Sequence, residues 1–193
     1  MFRLSLIAFI VILLSGCVTP PQPPQAGSWA QQQQQLQHIQ QWQLQGQIAI
    51  FTPSERHSAS LYWQHLLHAE KLQVSGPFGK QLFSATINPQ GATIHSDGKL
   101  YQGADASQLI WQLTGWQLPL QRLPGWMIGL PSEAHYQLGA DHRISQMTTK
   151  DGWTIHYLSY QQVGIYTLPY LLEVQRDSIK IKLKINDWQL EPK

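Results

Sequence analysis

The residues able to hold a metal, carry a proton or attack a carbonyl are scattered rather than clustered. Of eight histidines, His57, His65 and His68 stand closest together, and no carboxylate or cysteine joins them at ligand spacing. Polar strand and loop positions account for them. Ser, His and Asp all occur, but there is no Gly-x-Ser-x-Gly elbow, phosphate loop, His-Glu-x-x-His or close carboxylate pair. Each of those patterns places a nucleophile, base or ligand within reach of its partner. Without one the chain reads as a non-enzyme with no catalytic or metal residues. One position does announce a chemistry: Cys17 is the only cysteine, has no disulfide partner in the chain, and follows the small residues Ser15 and Gly16.

The residues before Cys17 explain what its thiol would do. Arg3 precedes an apolar run from Leu4 to Leu14, the length of a signal h-region and too short to span a bilayer. Residues 1–16 are therefore expected to be an export signal. Leu14-Ser15-Gly16-Cys17 resembles the bacterial lipobox, in which the cysteine receives a diacylglyceryl group before cleavage. Cys17 is the expected lipidation site, and this covalent acyl lipid is the only non-protein group called for. Two or three acyl chains, at about 0.8 kcal/mol per buried methylene, make release from a membrane rare. Val18 stands where the best-known retention rule wants Asp for the inner membrane, so outer-membrane residence is expected, with the domain facing the periplasm.

Composition narrows the partners. Once Arg3 leaves with the signal, 12 Lys and Arg face 11 Asp and Glu, a net charge of +1 that argues against nucleic acid. Hydrophobic residues are 42% and charged residues 12%, with eight tryptophans, so apolar surface is plentiful for a chain of this size. Residues 17–28 are rich in Pro and Gln and read as a stiff, solvated tether. Residues 29–193 are expected to form a single domain.

Within that domain Ser28 can cap a helix whose Trp29, Leu36 and Ile39 share one face. From Trp42 the period changes to two, with Leu44, Gly46, Ile48 and Ile50 alternating with Gln43, Gln45, Gln47 and Ala49. Further strands are predicted at 57–65, 71–75, 81–88, 92–96 and 100–103, then at 134–138, 143–149, 153–160, 168–175 and 178–190. Short Asn, Gly and Asp-rich links between them imply antiparallel neighbours. The segment 104–131 breaks this pattern: Asp105 can cap a helix carrying Leu109, Ile110 and Leu113, and a second apolar stretch holds Leu120, Leu123, Trp126 and Met127. Pro124-Gly125 should end or restart a helix there. The expected architecture is mainly β with a few helices, a strongly coiled antiparallel sheet of about eleven strands with a helical lid over a hydrophobic hollow.

Several short motifs, taken in order, resemble the LolB family of outer-membrane lipoprotein receptors. They are the lipobox at Cys17, Trp63-Gln64, Gly76-Pro77-Phe78-Gly79, Leu113-Thr114-Gly115, Trp126-Met127-Ile128-Gly129-Leu130-Pro131, Gly152-Trp153, Leu168-Pro169, and Ile179-Lys180-Ile181-Lys182-Leu183 with Trp188. The resemblance covers essentially the whole chain. It implies an open antiparallel half-barrel whose apolar cavity accepts acylated lipoproteins from a periplasmic carrier of the LolA type. It further implies delivery to outer-membrane lipid without nucleotide, by a monomer. It assigns membrane insertion to the turn Pro77, Phe78 and Gly79, with Phe78 where the family more often has Leu and Gly76 in place of Asn. A Phe78 folded back into the core is the alternative.

Acyl-chain lining is expected from Trp63, Val74, Leu113, Trp126, Met127 and Leu183, although core filling is the commoner use of any one tryptophan, including Trp116 and Trp153. The row Lys180, Lys182 and Lys184 could meet anionic lipid or the carrier. The solvated face of an amphipathic strand, and a guard against edge pairing, explain it more simply. The rival to a transfer receptor is a structural or assembly lipoprotein whose sheet binds a protein strand and whose apolar interior is only core.

Overall fold

The computed structural model of the chain describes residues 28–115, 118–131 and 135–191. The export signal, nearly all of the tether, Cys17 and Trp116 lie outside the described residues.

Eleven strands form one antiparallel sheet: β1 (Trp42–Phe51), β2 (Arg56–Leu66), β3 (Ala69–Ser75), β4 (Gln81–Asn88), β5 (Gly91–Ser96), β6 (Lys99–Gly103), β7 (His135–Leu138), β8 (Ile144–Thr148), β9 (Thr154–Val163), β10 (Tyr166–Arg176) and β11 (Ile179–Leu190). Their spatial order is β6-β5-β4-β3-β2-β1-β11-β10-β9-β8-β7. The two halves of the chain meet where β1 pairs with β11, and the sheet stays open between β6 and β7. Among the described residues three α-helices accompany it: α1 (Trp29–Gln37), α2 (Ala106–Thr114) and α3 (Leu123–Met127). The predicted sheet, its antiparallel sense and the helical break between β6 and β7 all match this architecture.

Side-chain chemistry decides the caps and faces. The Ser28 hydroxyl accepts from the Gln31 amide and Asp105 accepts from the Ser107 and Gln108 amides, satisfying amides that a helix start leaves orphaned. α1 ends at Gln37, before Ile39, but Trp29, Leu36 and Ile39 still pack on the main core. α3 begins one residue before Pro124, which needs no amide bond in a first turn. The helix therefore restarts at the proline and lasts five residues.

The inner sheet face carries Trp42 and Leu44 of β1, Leu61 and Trp63 of β2, Leu172 and Val174 of β10, and Leu183 and Ile185 of β11, all buried. Two irregularities keep that face apolar. Ile185 and Trp188 are three residues apart, an odd interval that would send them to opposite faces. The β1–β11 register slips between Gln45 and Gly46, so that Ile185 faces Gly46 and Trp188 faces Leu44. Gly46 is needed there, because a Cβ would stand 2.3 Å from the Lys184 carbonyl oxygen. A second slip skips Tyr170 beside Pro169, a residue with no amide to give the ladder. A smaller core of Ala85, Ala92, Ile94, Leu109 and Ile110 lies between α2 and the β4–β6 wing.

Candidate functional site: a lidded hollow and an exposed apolar turn

Helix α3 and the residues before it cross the inner face close to Trp42. Beneath them lies a hollow of about 420 Å³, bordered by Ile39, Trp42, His65, Ile87, Leu120, Pro124, Ile128 and Leu130. That volume falls in the usual range of a small-ligand cavity, and most of its walls are apolar. Trp42, which borders the hollow, is held edge-on by two tryptophans behind it: its ring lies 5.1 Å from that of Trp63 and 5.4 Å from that of Trp188. Two polar side chains at the rim, His65 and Glu70, are bonded to each other. Glu70 accepts from Trp63 Nε1 at 2.7 Å with one oxygen and bonds His65 Nδ1 with the other.

The lid is fastened at a few points. Arg122 donates both guanidinium nitrogens to Asp151, at 2.9 and 2.7 Å, tying the start of α3 to the β8–β9 turn. That hydrogen bond from Arg122 holds the Asp151 carboxyl below its ordinary value. The Tyr157 hydroxyl donates to the Trp126 carbonyl at 2.8 Å, and burial pushes its ionisation well above the ordinary tyrosine value, so it stays a neutral donor. Against these fasteners stands a defect. Trp126 is fully buried, yet its Nε1 has no partner among the described residues, an omission worth about 1–3 kcal/mol.

The six residues expected to line the hollow are placed elsewhere. Trp63, Trp126, Met127 and Leu183 are buried in the main core, Val74 packs half-buried against it from β3, and Leu113 sits half-buried on α2 over the smaller core. None of the six is among the residues bordering the hollow. The largest side chains on a concave face fill space first, and the hollow remains where lid and sheet part. Trp42, His65 and Leu120 border it instead. Trp42 belongs to the strand pattern already read, but its proximity to Leu120 depends on the path of residues 118–123, which no periodicity encodes.

The turn between β3 and β4 is a separate feature at the far end of the sheet from Trp42. The Gly76 amide donates to the Lys80 carbonyl at 2.8 Å and closes the turn. Pro77 leads into Phe78, whose φ of 60° is left-handed, followed by Gly79 at 76°. Phe78 is 108% exposed, so its ring stands wholly clear of the core. A left-handed non-glycine residue costs on the order of 1–2 kcal/mol, and an exposed ring recovers none of this by packing. Leu82, 43% exposed, lies beside it and touches Gly76, where a Cβ would come within 3.1 Å of the leucine methyl. Gly76, in place of a larger residue, leaves room for that second apolar side chain.

Of the three histidines closest in sequence, His57 bonds Glu55 and His65 bonds Glu70. No group of three or more His, Cys, Asp or Glu among the described residues is placed to hold a metal.

Comparison with known proteins agrees with this architecture. The fold is shared with a LolA superfamily protein from Nitrosomonas europaea, with a TM-score of 0.52 and 8% identity over 86% of this chain and 95% of that one. An outer-membrane lipoprotein LolB from Aeromonas salmonicida is 34% identical over 93% of both chains, and one from Tolumonas auensis is 31% identical over 97% of this chain and 96% of its own. The family model described as outer membrane lipoprotein LolB matches residues 40–188, nearly all of the sheet together with its lid and apolar turn. The chain belongs to the LolB family.

Proposed function

We propose that this protein is an outer-membrane receptor that takes acylated lipoproteins from a soluble periplasmic carrier of the LolA type and inserts them into the outer membrane without nucleotide. The observation that carries this reading is the pairing, in one molecule, of a lidded apolar hollow with an exposed apolar turn at the opposite end of the same sheet. Glu70 borders the hollow and Ser75 adjoins the turn, so β3 separates the two by roughly 17 Å at about 3.3 Å per residue. Such a molecule can keep its mouth toward the periplasm while its turn enters a bilayer.

The parts then take these roles. Residues 1–16 are the export signal, Cys17 carries the acyl anchor, and residues 17–28 hold a monomeric domain away from the membrane. Phe78, framed by Pro77 and Gly79, enters the headgroup boundary. The hollow admits acyl chains when the one-turn lid lifts, which brings Trp126 and Met127 of α3 out of the core and lets the chains reach Leu183, Trp63 and Val74, with Leu113 at the side. The unpartnered Trp126 Nε1 lowers the cost of lifting. Direction comes from graded affinity: acyl chains bind the receptor better than the carrier and worse than the bilayer.

A fluorescent fatty-acyl probe tests the hollow. It should bind the purified protein, and Leu120→Trp, which fills the hollow from a half-buried position, should reduce binding at an unchanged melting temperature. A probe that never enters the wild-type protein would remove the support for transfer and favour a structural lipoprotein that binds a protein strand.

A further inference from the structure

On the outer face of the sheet, directly beside the Phe78 turn, lies a groove of about 620 Å³, larger than the hollow under the lid. Its walls are mostly apolar, like those of the hollow, but also carry serine hydroxyls and cations. Pairing puts Ala49 opposite Ser58 and Lys182, and Gln47 opposite Ser60 and Lys184, while Ser60 also faces Ser75. The floor thus sets the hydroxyls of Ser58, Ser60 and Ser75 among Gln47, Ala49 and Leu171, with Arg56, Lys182 and Lys184 around it and Gly76 to Gly79 forming one wall. No carboxylate borders it.

The three cations are not equally committed. Lys182 is held by Glu173 at 3.1 Å, and Glu173 also takes Lys180 at 2.6 Å. Partial burial pushes the Glu173 carboxyl up, and its two lysine hydrogen bonds more than offset this, so it stays ionised. Lys184 and Arg56 have no carboxylate partner among the described residues: Lys184 lies 5.8 Å over the Tyr170 ring and Arg56 5.0 Å over the Phe51 ring. Glu55, next to Arg56 in sequence, is engaged by His57. Two exposed cations therefore flank a groove that offers three serine hydroxyls and holds nothing anionic. A guard against edge pairing has no use here, because β11 lies mid-sheet between β1 and β10.

We propose that this groove binds the phosphate of an anionic phospholipid headgroup in the membrane that Phe78 enters. The inference rests on the insertion reading of Phe78 and adds the lipid class to it. A ring seated 5–10 Å into the headgroup and acyl boundary brings the groove wall it belongs to level with the phosphates. Arg56 and Lys184 donate to phosphate oxygens there, and the serine hydroxyls add shorter-range donors. Each basic residue near an anionic surface contributes about a fivefold gain in association, screened over a Debye length of about 8 Å at physiological salt.

Amine reactivity of the mature chain reconstituted in vesicles tests this. With a water-soluble acylating reagent, Lys184 should react at least fivefold more slowly in vesicles containing phosphatidylglycerol than in pure phosphatidylcholine, while Lys71, at the other end of β3, should not change. Arg56→Gln should abolish most of that protection. Equal Lys184 reactivity in both vesicles overturns the proposal, as does protection that Arg56→Gln leaves intact. Equal protection by soluble glycerophosphate without phosphatidylglycerol would mean a free-phosphate site and also overturns it. Insertion is read separately by photo-crosslinking to lipid from Phe78→benzoylphenylalanine in phosphatidylcholine vesicles. Crosslinking without Lys184 protection sinks only the groove, and loss of both sinks the insertion reading as well.

Discussion

Two residues separate surface function from packing. Phe78 makes no core contact, so Phe78→Glu should shift the melting temperature very little, while a charge at the tip opposes entry into the membrane interface. Acceptance of lipoprotein should persist and its release into liposomes should fall sharply; normal release would show that Phe78 is not the insertion residue. Leu183 is the opposite case, 4% exposed between Ile48 and Leu172. Leu183→Ala should destabilise by about 2–5 kcal/mol in chemical denaturation, and a near-neutral change with weaker acyl-probe binding would make it cavity lining instead. Sequence separated these residues by environment only in part. The Pro-Phe-Gly turn was legible because proline and glycine restrict the backbone locally. Trp63, Trp126, Met127 and Leu183 were legible as large inward residues, but whether an inward residue touches a neighbour or an empty space depends on where the lid stops.

At the scale of elements, the strands were the most readable part, since a period of two survives from Trp42 to Ile50 and from Ile179 to Ile185. The pattern ran out at Trp188, where the slip opposite Gly46 resets the faces, and at Tyr170 beside Pro169. The lid was least readable, because α3 is a single turn containing proline and glycine, held by tertiary contacts rather than by helix propensity. Its fastening to Asp151 makes an acid-sensitive joint. The folded-state pKa of Asp151 is depressed, so its contribution to lid docking is complete above the ordinary value of 3.8 and lost as pH falls through the lower folded value. The protection factors of the α3 amides, each taken against intrinsic exchange at the same pH, should therefore fall on acidification below about pH 4, and Asp151→Asn should lower them already at neutral pH. Protection that is insensitive to both would show that the Arg122 clamp does not hold the lid.

Across the whole molecule, the arrangement that matters is polarity along the strands, with the apolar hollow near Trp42 and the apolar turn at Phe78 held apart by the length of β3. Family membership and composition made the class of function readable, but the separation of the two ends needed the strand register. Transfer requires no energy source if each site binds acyl chains more tightly than the last. The most direct measurement follows a labelled lipoprotein, initially bound to its carrier, in a mixture with this protein and liposomes and without nucleotide. The label should move first onto this protein and then into the liposomes. Label that stays with the carrier, or that reaches the liposomes equally fast when this protein is left out, would contradict a role as the receptor.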